Sequence, residues 1–131
     1  MDRKQDIQGL HILNGTVYAV ATASTAIDMA KHDQVLIALS ITSIGTSTAT
    51  FIVQDSADNV SFTNTSYTFT EAAGTVNNTR WVFVRASDVR RYVRIRVAPG
   101  ASGSATLSGA AILLGAIMPP EATTYSIDTS A

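Results

Sequence analysis

His32 is followed by Asp33 and preceded, four residues earlier, by Asp28. A histidine beside carboxylates is the arrangement general acid–base chemistry needs. The only other histidine is His11, and no Gly-x-Ser-x-Gly elbow marks a nucleophile. We therefore read His32 as part of a polar loop ahead of a strand, and expect neither an enzyme nor a cofactor. Residues 55–59, Asp-Ser-Ala-Asp-Asn, offer oxygens that suit a hard cation. They lack the glycine and terminal glutamate of an EF-hand loop. Asp and Asn also favour turns by bonding their own backbone, so a turn without metal is expected here.

Arginine is the other chemically loaded residue type. Between positions 80 and 96 stand Arg80, Arg85, Arg90, Arg91, Arg94 and Arg96, against the single acid Asp88. Such a cluster could meet nucleic-acid phosphates, carboxylates of a protein partner, or only solvent. The net charge of −1 supplies no field to draw in nucleic acid or an anionic membrane, so neither is expected as a partner. The planar guanidinium suits paired contacts with carboxylates. We take Arg90, Arg91, Arg94 and Arg96 as candidate interface residues. Four Asn-x-Ser/Thr triplets, at Asn14, Asn59, Asn64 and Asn77, follow from a chain rich in Ser and Thr.

The elements that must position these groups read as strands. Residues 34–41 place Val35, Ile37, Leu39 and Ile41 on one face at period two. Residues 48–55 return after a break at 44–47, a turn follows at Asp58-Asn59, and residues 60–62 re-enter the sheet. Residues 66–70 alternate aromatic and hydroxyl side chains. Residues 81–84, Trp-Val-Phe-Val, are apolar on both faces, which predicts a central strand covered on both sides. Trp81 and Phe83 are then core, an exposed ligand platform being the lesser reading. Residues 92–97 split into Val93, Ile95 and Val97 facing inward and Tyr92, Arg94 and Arg96 facing outward.

Asn14-Gly15 reads as a turn before a first strand at 16–21, and residues 22–31 as a loop or weak helical turn around Ile27. The run from Ala101 to Ala116 is rich in Ala and Gly. A strand so poor in side-chain volume either lies under large residues or meets another backbone at close range, as around an oligomer axis. The stretch 109–118 is too short to cross a membrane as a helix, and residues 1–6 are charged with no apolar run behind them, so no targeting signal is expected.

These pieces assemble into an all-β domain: an antiparallel, jelly-roll-like β-sandwich of about eight strands with extended N- and C-terminal arms. A length of 131 residues suits one domain. We divide it into an N-terminal arm at 1–15, a sandwich at 16–118 and a C-terminal tail at 119–131. The hydrophobic share of 46% supports a real core, and the absence of cysteine rules out disulfides. Charged residues are only 15%, low for a free monomer, which hints at a surface held against another protein.

Two resemblances arise at these residues. The strand-turn-strand at 51–62 and the strand at 91–95 resemble discoidin-like jelly rolls, which bind glycans or phospholipid headgroups. The whole chain resembles tailed-phage capsid decoration, or cement, proteins in its length, composition, 55–59 turn, 91–97 strand and arms. That resemblance implies a virion protein on the capsid surface, made in the host cytoplasm. Its partners would be the major capsid protein and two further copies of itself in a homotrimer. On this reading Arg3, Lys4, Ile7 and Leu10 in one arm, and Pro119, Pro120 and Tyr125 in the other, join the arginines as interface residues. A carbohydrate-binding sandwich and a tail or head–tail junction protein are the alternatives.

Overall fold

The computed structural model of the chain describes residues 8–115. Nine strands form: β1 (Gln8–Tyr18), β2 (Thr22–Ala23), β3 (Ile27–Asp28), β4 (Gln34–Ile44), β5 (Ala49–Ser56), β6 (Thr63–Glu71), β7 (Val76–Arg85), β8 (Tyr92–Pro99) and β9 (Ala105–Leu114). They pair antiparallel in two sheets. Sheet I has the order β1-β9-β4-β7, and sheet II the order β2-β8-β5-β6 with β3 also on β8. Apart from β2 to β3 and β5 to β6, each connection crosses from one sheet to the other. That is the path of a hairpin rolled up on itself, a jelly roll, as expected.

Period-two alternation builds the core. Val35, Ile37, Leu39 and Ile41 of β4 point between the sheets with Leu107, Ala111 and Leu113 of β9. Phe51 and Val53 of β5 and Val93, Ile95 and Val97 of β8 close the layer from the other side. Phe51 lies parallel to Phe69 of β6, with ring centroids 4.7 Å apart. Gly109 is small because the core reaches it: a Cβ there would stand 2.9 Å from Cδ2 of Leu39.

Several local expectations change. Asn14-Gly15 does not turn the chain. β1 runs through it, and the extra length is absorbed as register shifts against β9 between His11 and Leu13 and between Leu13 and Thr16. Such bulges let both Ile12 and Leu13 reach the core. The sheet thus takes in residues from Gln8 onward, inside the segment read as an arm. Residues 22–31 hold two short strands and no helical turn, and Ile27 is fully buried beside Val93. The chain re-enters sheet II at Thr63, leaving Val60 exposed in the turn.

The largest change concerns β7. Among the described residues it is the edge strand of sheet I, paired to β4 alone, with a regular register from Gln34 opposite Arg85 to Ser43 opposite Val76. Val84 is buried opposite Val35. Trp81 and Phe83 point the other way and are 61% and 54% exposed. Apolar residues on both faces were expected to mean cover on both faces; here the cover is on one.

Candidate interaction faces

The arginine-bearing face is the outside of sheet II. β8 carries Arg94 and Arg96 outward, opposite Gln54 and Ile52 of β5. Arg94 donates from Nε to Oε1 of Gln54 at 2.9 Å, and its guanidinium sits 4.0 Å from the ring centroid of Phe62. Gln54 in turn donates to Asn64 at 2.9 Å. This chain of contacts holds the Arg94 guanidinium flat against the sheet and limits its rotamers. Neither Arg94 nor Arg96 has a carboxylate within ion-pair distance among the described residues.

Arg90 and Arg91 are placed differently. They sit at the end of the sandwich and are held by this chain's own acids. Arg90 reaches Asp55 with Nη2 at 3.0 Å, with Nε at 3.3 Å and with its backbone N–H at 2.9 Å. Asp55 is inward on β5 and almost covered. Burial pushes its carboxyl pKa up, but the Arg90 contacts and the Thr63 hydroxyl outweigh that, and the net direction is down. Arg91 forks onto Asp28, Nε to Oδ1 and Nη2 to Oδ2, both at 2.9 Å. The pairing lowers the Asp28 pKa and raises that of Arg91. A third pair crosses between sheets, where Arg80 and Asn78 of β7 donate to the buried Glu71 of β6.

The 55–59 segment is a self-bonded turn. Ser56 Oγ accepts from the N–H of Asp58 at 3.1 Å and of Asn59 at 2.9 Å. Asp58 Oδ1 accepts from the N–H of Val60 at 2.9 Å and of Ser61 at 3.0 Å, and from the Ser56 hydroxyl at 2.8 Å. These donors favour the charged carboxylate and hold its pKa down to about 2. Its oxygen is thereby occupied by the turn itself. His32 lies in the connection from β3 to β4, with Nδ1 buried and without a hydrogen-bond partner, so no His32–Asp33 pair is assembled.

The outside of sheet I is chemically the opposite of sheet II. Across the strands, Gly9 stands opposite Ile112, which pairs with Leu36, which pairs with Phe83. The next row is His11, Ala110, Ala38 and Trp81. A third row brings Ser108, Ser40 and Thr79 together. Gly9, Ala38, Ser40, Ser108 and Ala110, together with the larger His11 and Ile112, line a trough of about 540 Å³, with the aromatic ridge of β7 alongside. No acidic side chain lies in these rows, and Arg85 stands one position beyond the aromatic pair.

Of the candidate interface residues, the structure brings Arg94 and Arg96 to one face and puts Arg90 and Arg91 into ion pairs at one end. Leu10 is on the other sheet, half-buried against the core. Arg3, Lys4, Ile7, Pro119, Pro120 and Tyr125 lie outside the described residues. The residues missed are Trp81, Phe83 and the trough floor. Their signal was present in part: the small-residue run 101–116 holds Ser108 and Ala110, and the apolar run 81–84 holds the ridge.

No protein-family model matches the sequence, and neither does any curated protein. Solved structures do match. The SPBc2 prophage-derived protein YomS is similar with a TM-score of 0.56 at 9% identity, over 82% of this chain and 92% of that one. The PBSX exported protein XepA is similar at 0.57 and 17%, over 86% of this chain but only 38% of that one. The Bacillus endospore appendages, described as disulfide-linked pili, match at 0.54 and 17%, over 84% of this chain and 87% of that one. At these identities the likeness is one of fold.

Proposed function

We propose that this chain is a non-enzymatic structural protein of a phage particle, a decoration protein that sits on the assembled head and stabilises it. The observation that carries the reading is the pair of unlike outward faces on one small jelly roll: arginine-bearing on sheet II, apolar on sheet I. The prophage origin of one fold neighbour, YomS, supports a phage setting. On this reading Arg94 and Arg96 meet carboxylates of the major capsid protein. Arg3, Lys4 and Ile7 at one end of the chain, and Pro119, Pro120 and Tyr125 at the other, extend that contact. The apolar face gathers copies of the chain, three in the expected trimer. A protein that binds the finished lattice and not the free subunits stabilises the shell by mass action. Symmetry then multiplies a weak patch into tight attachment.

Co-sedimentation with empty, expanded heads of the encoding phage tests this. Saturable binding to heads is expected; recovery of the protein on tails, or free at the top of the gradient, would reject decoration. The exposure of Trp81 beside Ser40 and Thr79 favours one second reading, a carbohydrate-binding module in which a sugar ring stacks on the indole. Binding to a glycan array that is lost in Trp81→Ala would move the assignment there.

A further inference from the structure

We infer that the outer face of sheet I is where copies of this chain meet, with Trp81 of one copy seated in the small-residue trough of the next. The inference deepens the self-association part of the proposed function by naming its surface and its anchor.

Three observations carry it. First, ridge and trough lie side by side on one face. Trp81 stands on the outermost strand, and along its own row Ala38 and Ala110 leave room for a bulky side chain before His11 on β1, with Gly9 at the far end of the neighbouring row. At Gly9 a Cβ would meet nothing within 4 Å. A surface that carries both a knob and its hole is complementary to a copy of itself, so each protomer gives one Trp81 and receives one. That exchange closes either as a two-fold pair or as a ring of three.

Second, the charges permit it. The rows from Gly9 to Phe83, His11 to Trp81 and Ser108 to Thr79 contain no Asp, Glu, Lys or Arg, so two such faces meet without opposed like charges. Sheet II, whose outside carries Arg94 and Arg96, would set like charges against each other in the same arrangement.

Third, the area fits a weak, reversible contact. Trp and Phe side chains bury about 150–250 Å² each when covered, and Trp81 and Phe83 are 61% and 54% exposed. Covering them together with the trough that receives them removes on the order of 400 Å² per copy, or about 800 Å² per two-fold contact. That is the size of a weak, concentration-dependent contact and not of a permanent one. The edge itself fits the same account. β7 is ten residues long, with no proline and no register shift, and its inward charge, Arg80, is taken up by Glu71 of the opposite sheet.

Trp81 is the only tryptophan in the chain, so its fluorescence reports this one face. The experiment follows purified full-length protein from nanomolar to high micromolar concentration. Mass is measured by light scattering, and Trp81 by emission maximum and acrylamide quenching. We expect the mass to rise to two or three copies while emission moves to the blue and quenching falls several-fold over the same range. Ala110→Glu puts a charge on the trough floor and keeps the fluorophore. It is expected to stay a monomer with red emission and to melt as the dilute parent does. Phe83→Ser should shift the midpoint to higher concentration.

A constant single-copy mass would overturn the inference. So would association that leaves Trp81 fully quenchable, since another face would then be in use. Trp81 protection that does not depend on concentration would assign the cover to the same chain, and protection only on adding saccharide would assign it to a glycan; both reject the inference. Failure here with head binding intact leaves the proposed function standing. Loss of head binding with the Trp81 contact intact does the reverse.

Discussion

The outward faces of the two sheets share a backbone plan and differ in everything else. On sheet II, Arg94 is pinned by Gln54 and Phe62, and Arg96 stands at the next outward position, opposite Ile52. On sheet I, the equivalent positions carry Trp81, Phe83, Ala38 and Ala110, which make no polar contact. The inward faces of β4 in sheet I and β8 in sheet II, by contrast, are alike: Val, Ile and Leu at every second residue from Val35 to Ile41 and from Val93 to Val97. A jelly roll thus fixes its interior by alternation alone, while its outside is free to be written for different neighbours. The two outsides are not mechanically independent. Glu71 at the edge of sheet II is bonded by Arg80 from the edge of sheet I, so the strand bearing the aromatic ridge is tied to the opposite sheet.

The sharpest way to test the contrast between inside and outside is to truncate one aromatic of each kind. Phe51→Ala, on the inward face, should cost about 4 kcal/mol in urea unfolding. Trp81→Ala, on the outward face, should change the dilute subunit by no more than about 0.5 kcal/mol. Equal losses would mean that the outer face of sheet I is covered within one copy.

Arg80→Ala breaks the tie between the sheets. It leaves the buried Glu71 carboxylate with Asn78 as its donor and no cation; because the Arg80 side chain is 43% exposed, solvent screens the pair and the cost is about 1.5 kcal/mol. Urea midpoints should fall accordingly, and Glu71→Gln in the same background should recover part of the loss. No recovery would show that Arg80 acts through its packing on Phe69 and not through its charge.

Phe62→Ala removes the ring beneath Arg94. The direct loss is about 1 kcal/mol, read from the urea midpoint. Its sharper readout is head binding, which should weaken further with added salt once the guanidinium is unpinned. An unchanged salt slope would separate Arg94 from the capsid contact.

The smallest effect is acid sensitivity. The Asp58 carboxyl falls from an ordinary 3.8 to about 2 in the fold. A depressed carboxylate adds stability that is complete above the unfolded value and is lost as pH falls through the folded one. Stability should therefore decline from near pH 4 toward pH 2, and Asp58→Asn should flatten part of that decline. Asp28 and Asp55 shift in the same direction and steepen it. A parent and an Asp58→Asn variant with superimposable acid profiles would remove the turn from this account.

The parts of the fold legible in the sequence were those in which one period decides the structure. Residues 34–41 and 92–97 announce their strands because Val35, Ile37, Leu39 and Ile41, and Val93, Ile95 and Val97, fall at every second position and turn inward. The 55–59 turn was legible because Asp and Ser bond their own backbone wherever they stand. The first strand was not, because Asn14-Gly15 suits a bulge as well as a turn and only pairing with β9 chooses between them. Trp81 and Phe83 were misread for a related reason. An apolar outward face looks the same in a sequence whether the protein's own second layer covers it or another molecule does. Arg90 and Arg91 were legible as charges that pair, but not as charges that pair at home, since Asp55 and Asp28 are distant in the chain.

In the proposed function the two outer faces serve different partners. The most direct test is co-sedimentation with phage heads of the parent, of Ala110→Glu and of the double variant Arg94→Glu, Arg96→Glu, each also weighed free in solution. The double variant should lose the heads yet keep the mass of the free assembly. Ala110→Glu should lose the free assembly and bind heads only weakly, one copy at a time. The reverse pattern, or both variants losing both properties together, would contradict the division of labour between the faces.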